Sequence, residues 1–225
     1  MRSFRNLIIL AFIAGTTSGL VWFGLQYLTV IPLIETAERY ETAASHHDED
    51  HSTLMGRNSL TAIATVLTAI GFAAALFGVV SLTGRRLDVK RGAVWGLAAF
   101  ACIGVAPALG LPPQPPGTAV ADLASRQVWW LGTVILTALG LYWIAVSARR
   151  PWWISAGVVC LLLPHVIGAP VATGESVVPA FLVRQFEIAS LASTGVFWLT
   201  LGMVGGFLRK DRGEMSVQAT TACNG

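Results

Sequence analysis

Six apolar runs of about 20 residues, the length that crosses a bilayer as a helix, dominate this chain and leave it little choice of fold. They cover 7–31, 60–82, 92–111, 128–146, 152–170 and 188–208, and none contains Asp, Glu, Lys or Arg. In hydrocarbon no water is present to pair a backbone N–H or C=O, so each run must close its own hydrogen bonds as a helix. Charged residues make up 12% of the chain, about half the share of a soluble domain. That is too little to cover a water-facing surface, so the bilayer is the solvent. The prediction is an all-α polytopic membrane helix bundle of about six transmembrane helices. It forms a single domain over 1–208, with a polar tail at 209–225. Cys102 and Cys160 fall inside apolar runs and Cys223 in the tail, a placement that predicts no disulfide.

Orientation follows from the basic residues, which cytoplasmic loops retain. With six spans, Arg2, Arg5, Arg85, Arg86, Lys90, Arg91, Arg149, Arg150, Arg209, Lys210 and Arg212 share one side, which is 11 of the 15. The other side keeps Arg39, Arg57, Arg126 and Arg184 together with 9 of the 12 acids. Both termini are therefore expected in the cytoplasm. Pro164 and Pro170 interrupt the fifth run, and a run that dips without crossing would move the C-terminus outside. The first run is too long for a signal-peptide core of about 7–15 residues and reads as a retained helix. Gly15/Gly19, Gly92/Gly96 and Gly202/Gly206 repeat a small residue at the four-residue spacing that lets helix backbones approach. Trp95, Trp129, Trp130, Trp152 and Trp153 lie at span ends, where an amphipathic ring suits the headgroup layer.

The unusual chemistry lies on the outer side. The loop at 35–57 carries His46, His47, Asp48, Glu49, Asp50 and His51, three imidazoles and three carboxylates in six residues. Imidazole suits cobalt, nickel, copper and zinc, and carboxylates suit harder ions, so weak, exchangeable capture of a divalent metal fits this tract. A solvated acidic loop with incidental histidines is the competing reading. His165, in the segment LPHVIGAP at 163–170, is the one histidine at membrane depth. Ionisable groups there usually face a bundle interior or a water-filled path, although a backbone carbonyl could equally satisfy an interfacial imidazole. Pro164 beside it removes a helical hydrogen bond and frees a carbonyl. Gly168 and Pro170 complete the segment. Five prolines between 107 and 116 make a stiff crossing that leads into RQVWW, with Arg126, Trp129 and Trp130. Arg126 and Arg184 either close salt bridges at an outer mouth or snorkel to the interface, the latter being favoured. No phosphate-binding loop, dinucleotide fingerprint or HExxH is present, and nothing suggests nucleic acid or an enzyme.

In order along the chain, an outer His-bearing loop, GLPPQPPG at 110–117, RQVWW at 126–130, LPHVIGAP at 163–170 and FLVRQFEIAS at 181–190 resemble the CbtA family. The resemblance covers roughly residues 5 to 208. It implies a cobalt transporter subunit of the bacterial cytoplasmic membrane, linked to cobalamin supply and accompanied by a small single-span, His-rich CbtB-like subunit. The family is often described with five spans rather than six. The resemblance carries His165, Pro164 and Gly168 over as site residues, and Arg126, Trp129, Trp130 and Arg184 match its pattern without a role. No permanently bound cofactor is expected. Cobalt is the transported ion the resemblance names, and the ligands themselves would accept nickel or zinc. A non-transporting membrane assembly that presents metal to another carrier is the alternative, because few polar side chains lie within the spans.

Overall fold

The computed structural model describes residues 2–45, 54–84, 86–146 and 151–223, and among these all regular structure is helical. The helices are α1 (Arg2–Leu25), α2 (Ile31–Ser45), α3 (Leu54–Leu82), α4 (Val89–Phe100), α5 (Ala106–Ala108), α6 (Leu123–Val146), α7 (Pro151–Ile167) and α8 (Ala180–Cys223). Gln26–Val30 joins α1 to α2, and Ala101–Val105 joins α4 to α5, each as a single π-helical stretch. Five continuous helical segments are long and apolar enough to cross a membrane: Phe4–Thr42, Gly56–Leu82, Val89–Ala108, Leu123–Ala145 and Ala180–Arg209. The protein is a polytopic membrane helix bundle. α7 is apolar but has 17 residues, so it spans about 25 Å at 1.5 Å per residue.

A proline follows each π stretch. Pro32 and Pro107 have no N–H to give the carbonyl four residues back, and their rings crowd that carbonyl. Widening the preceding turn to a five-residue hydrogen bond relieves both problems. The Ala106 N–H accordingly reaches the Ala101 carbonyl. The first helix also runs further than its apolar stretch, to Ser45, because residues 35–45 are mostly Glu, Ala, Arg and Thr, with good helix formers prevailing. Residues 35–45 and 54–57 are thus helical, and the tail continues α8 as far as Cys223.

The chain divides into two compact units. One comprises Met1–Gln26, Asp50–Ala99 and Ser193–Gly225, the other Tyr27–Glu49 and Phe100–Ala192. In the first unit, α1 meets α3 at the expected small pair. A Cβ on Gly15 would stand 2.6 Å from the Ile70 Cα, and one on Gly19 would stand 3.0 Å from the Val66 Cα. α4 and α8 touch backbone to backbone. A Cβ on Gly92 would strike the Gly202 carbonyl, one on Gly96 the Trp198 carbonyl, and one on Gly206 the Asp88 carbonyl. Asp88 fixes the start of α4 by accepting the Arg91 backbone N–H at 2.9 Å. Around this crossing Trp22 stacks on Phe197 at 4.5 Å, and Phe72 lies 5.1 Å from Trp198. Phe77, Phe197 and Trp198 are buried.

In the second unit α6 and α7 cross at glycines as well, with a Cβ on Gly140 falling 2.8 Å from the Gly157 carbonyl. α2 is held by Ala37, which packs with Val178 and Leu182. The opposite stripe of α6 is apolar and open: Val128, Leu131, Ile135, Leu139 and Tyr142 are 41–74% exposed. Spaced three or four residues apart, they form one continuous face of the kind lipid solvates.

The glycine crossing makes a direct prediction. Gly202→Val places a side chain into the Gly92 backbone and should destabilise the bundle by about 1–3 kcal/mol or more. Gly71 has nothing within 4 Å of its missing Cβ, so Gly71→Ala should cost nothing. Thermal unfolding in detergent, followed by tryptophan fluorescence, compares the two.

Candidate functional site

Three sequence segments far apart along the chain meet in the second unit. Gly110 to Gln114, from the proline-rich crossing, Arg126, Gln127, Trp130 and Leu131, from the start of α6, and Ala169 to Ala172, after α7, line one cleft of about 770 Å³. Local sequence explains each wall. The prolines at 112, 113, 115 and 116 hold the crossing extended, and Gly117, at φ +76°, turns it. The Val177 N–H then donates to the Gly117 carbonyl at 3.1 Å. α6 starts at Asp122, whose carboxylate accepts the Ser125 backbone N–H at 3.0 Å and the Ser125 hydroxyl at 3.1 Å. These two bonds, the backbone one first, hold the Asp122 carboxyl below its ordinary range.

α7 ends where LPHVIGAP dictates. Gly168 adopts φ +87°, and its N–H closes on the Pro164 carbonyl at 3.1 Å. This is the left-handed helix cap that glycine favours. The carbonyl that loses its donor to Pro164 is that of Cys160, four residues back. Pro164 itself is buried, and Pro170 lines the cleft.

His165 is half-buried in the last turn of α7, edge-on to Trp129 with ring centroids 6.1 Å apart and planes at 69°. Trp129 in turn packs over Gly110, where a Cβ would meet its six-membered ring. Gly110 lines the cleft, so Trp129 connects His165 to the back of one cleft wall, although neither Trp129 nor His165 lines the cleft. Arg126 and Trp130 are brought into the cleft. Arg184 is exposed at the start of α8 and is not. Among the described residues neither arginine pairs with a carboxylate, so no salt bridge of theirs closes an outer mouth there. His46, His47, Asp48, Glu49, Asp50 and His51 lie outside the described residues. Among the described residues no three His, Cys, Asp or Glu side chains gather closely enough to hold a metal ion.

Other polar groups stand out only in the fold. In the first unit the Thr16 and Ser18 hydroxyls and the Trp22 indole N–H are buried without a partner, while the Thr65 hydroxyl bonds the Gln26 amide oxygen at 3.2 Å. Ser18, Trp22 and Gln26 recur every four residues and so share one face of the helix. In the second unit the Trp129 indole N–H and the Thr137 hydroxyl are likewise buried and unpaired. The four-residue spacing was the available signal in the sequence, but an isolated Ser or Thr in an apolar run is common enough to pass unnoticed.

A multi-pass bundle of long apolar helices, several of them broken by proline, belongs to the class of polytopic membrane proteins. Residues 4–210 match the family model of CbtA, described as a probable cobalt transporter subunit. The chain belongs to that family. No curated protein and no solved structure matches it.

The Asp122 cap gives a pH test. Its native carboxyl is more acidic than that of the unfolded chain, so its contribution is complete above about pH 4 and is lost as pH falls through the native value. Hydrogen exchange at the Ser125 amide, corrected for its intrinsic pH dependence, should rise only on that acid side. In Asp122→Asn, whose amide caps at any pH, the acid-side rise should vanish.

Proposed function

We propose that this chain is the membrane subunit of a cobalt uptake system, taking Co²⁺ from the outer face and passing it through its helix bundle with a small His-rich partner subunit. Membership of the CbtA family over nearly the whole chain is the observation that carries this reading. In this reading α7 crosses as a sixth span beside the five longer ones, and the protein lies in the bacterial cytoplasmic membrane with both termini inside. The His46–His51 tract gathers the ion, aided by the negative potential of nine outer acids. His165 and the carbonyl released by Pro164 exchange some of its water ligands. The membrane potential contributes about 2.3 kcal/mol per charge per 100 mV, twice that for a divalent ion, which drives inward movement without ATP. The donors suit nickel and zinc as well as cobalt.

A second reading, a metal-presenting assembly protein that moves no ion itself, is favoured by one observation. The six apolar runs contain no Asp, Glu, Lys or Arg and few other polar side chains with which to line a path for an ion.

The discriminating measurement is radiolabelled cobalt uptake in bacteria lacking their own importers, with this chain and its small partner co-expressed. Saturable uptake that His165→Ala lowers by about tenfold or more, at equal membrane levels, supports the transporter. The factor is that of a lost ligand or its support in a metal site. Uptake equal to that of empty cells, for cobalt and nickel alike, overturns it in favour of the second reading. Orientation has its own readout. A C-terminal alkaline phosphatase fusion should be inactive and a green fluorescent protein fusion bright; the reverse pattern would put the C-terminus outside.

A further inference from the structure

The cleft of the second unit has the wrong chemistry for a bare divalent cation. Its lining holds one charged side chain, Arg126, and no acid, histidine or cysteine. Arg126 is a half-buried residue, and its guanidinium meets no carboxylate among the described residues. A guanidinium presents a fork of N–H donors that matches a phosphate two bonds at a time. Gln114 and Gln127, both exposed, add amide donors to the same lining.

The rest of the cleft is apolar and open. Trp130 is 38% exposed, Leu131 54% and Val171 82%. Arg126 stands in the first turn of the membrane-spanning segment Leu123–Ala145, and the lipid-facing stripe of that helix starts two residues later at Val128. That places the guanidinium where polar chain gives way to apolar chain, the depth of the headgroup layer. A free phosphate would need only a small part of a cleft of about 770 Å³ and would leave its apolar walls uncovered. An amphiphile satisfies both halves of the site.

We propose that this cleft is a binding site for an anionic phospholipid. The headgroup phosphate is held by Arg126 with Gln114 and Gln127, and the upper acyl chain lies along Trp130, Leu131 and Val171. The site does not depend on the identity of the transported metal, nor on whether this chain transports at all.

The test uses the full-length chain in nanodiscs of equal phosphatidylglycerol and phosphatidylethanolamine, released into a native mass spectrometer. The wild-type chain should retain phosphatidylglycerol over phosphatidylethanolamine. Arg126→Gln should lower the retained phosphatidylglycerol about tenfold, the scale of one lost charge-assisted contact. Arg126→Lys should keep part of it, and Arg39→Gln, an exposed arginine outside the cleft, should keep all of it. Gln114→Ala, at an exposed position, carries the same test with a smaller loss should Arg126→Gln fail to fold. Equal retention of the two lipids overturns the assignment, as does retention that neither Arg126→Gln nor Gln114→Ala reduces. Displacement of the lipid by millimolar inorganic phosphate would make the ligand a soluble anion and overturn the lipid assignment too.

Discussion

Every backbone N–H and C=O inside the hydrocarbon must find a partner from the protein itself, and the architecture is an answer to that demand. Helices satisfy it without help, which explains why helix is the regular structure of the described chain. The prolines are where the demand is locally broken. Pro32 and Pro107 are each preceded by a π-helical turn, and Pro164 leaves the Cys160 carbonyl without its helical donor two turns from the end of α7. Such departures are tolerated in membrane helices where a local π-helical adjustment or neighbouring groups satisfy the freed backbone. The second unit holds all three prolines, and in it the Trp129 indole N–H and the Thr137 hydroxyl are buried without a partner.

With the backbone satisfied, little hydrophobic force remains to hold the helices to one another, because lipid tails are as apolar as leucine. The contacts that remain are those of close approach. α1 meets α3 at Gly15 and Gly19, α4 meets α8 at glycines on both sides, and α6 meets α7 at Gly140 and Gly157. Larger aromatic side chains then fill what the glycines leave, as Trp22, Phe72, Phe197 and Trp198 do in the first unit. The cleft of the second unit arises differently. Its walls are stiff prolines, a capped helix start at Asp122 and the glycine-terminated end of α7.

The helical class and the pairing role of Gly15/Gly19, Gly92/Gly96 and Gly202/Gly206 were legible because both follow from local sequence. An uninterrupted apolar run and a four-residue spacing have few other physical outcomes. The extent of the helices was less so. Residues 35–45 are polar enough to suggest a loop, yet helix propensity together with the anchoring of Ala37 against Val178 and Leu182 keeps them helical. The fifth run extends to 170 by hydropathy, with Pro164 and Pro170 interrupting it, yet α7 ends at Ile167 because Gly168 takes a left-handed cap, which hydropathy does not show. The site was legible in parts only. Arg126, Trp130 and Pro170 could each be singled out. That they share a cleft, with Trp129 bridging to His165, depends on tertiary packing across some sixty residues of chain, which no local pattern encodes.

The glycine crossing of α4 with α8 has a thermodynamic consequence of its own. An interface of interdigitated leucines must freeze side-chain rotamers each time it forms, at about 0.5–1 kcal/mol per leucine. Gly92, Gly96, Gly202 and Gly206 have no rotamers to freeze, so this seam closes with no side-chain entropy opposing it at those four positions. It also has no side chain that can adjust when the helices shift. Sliding one helix along the other there brings backbone against backbone with nothing between them to yield.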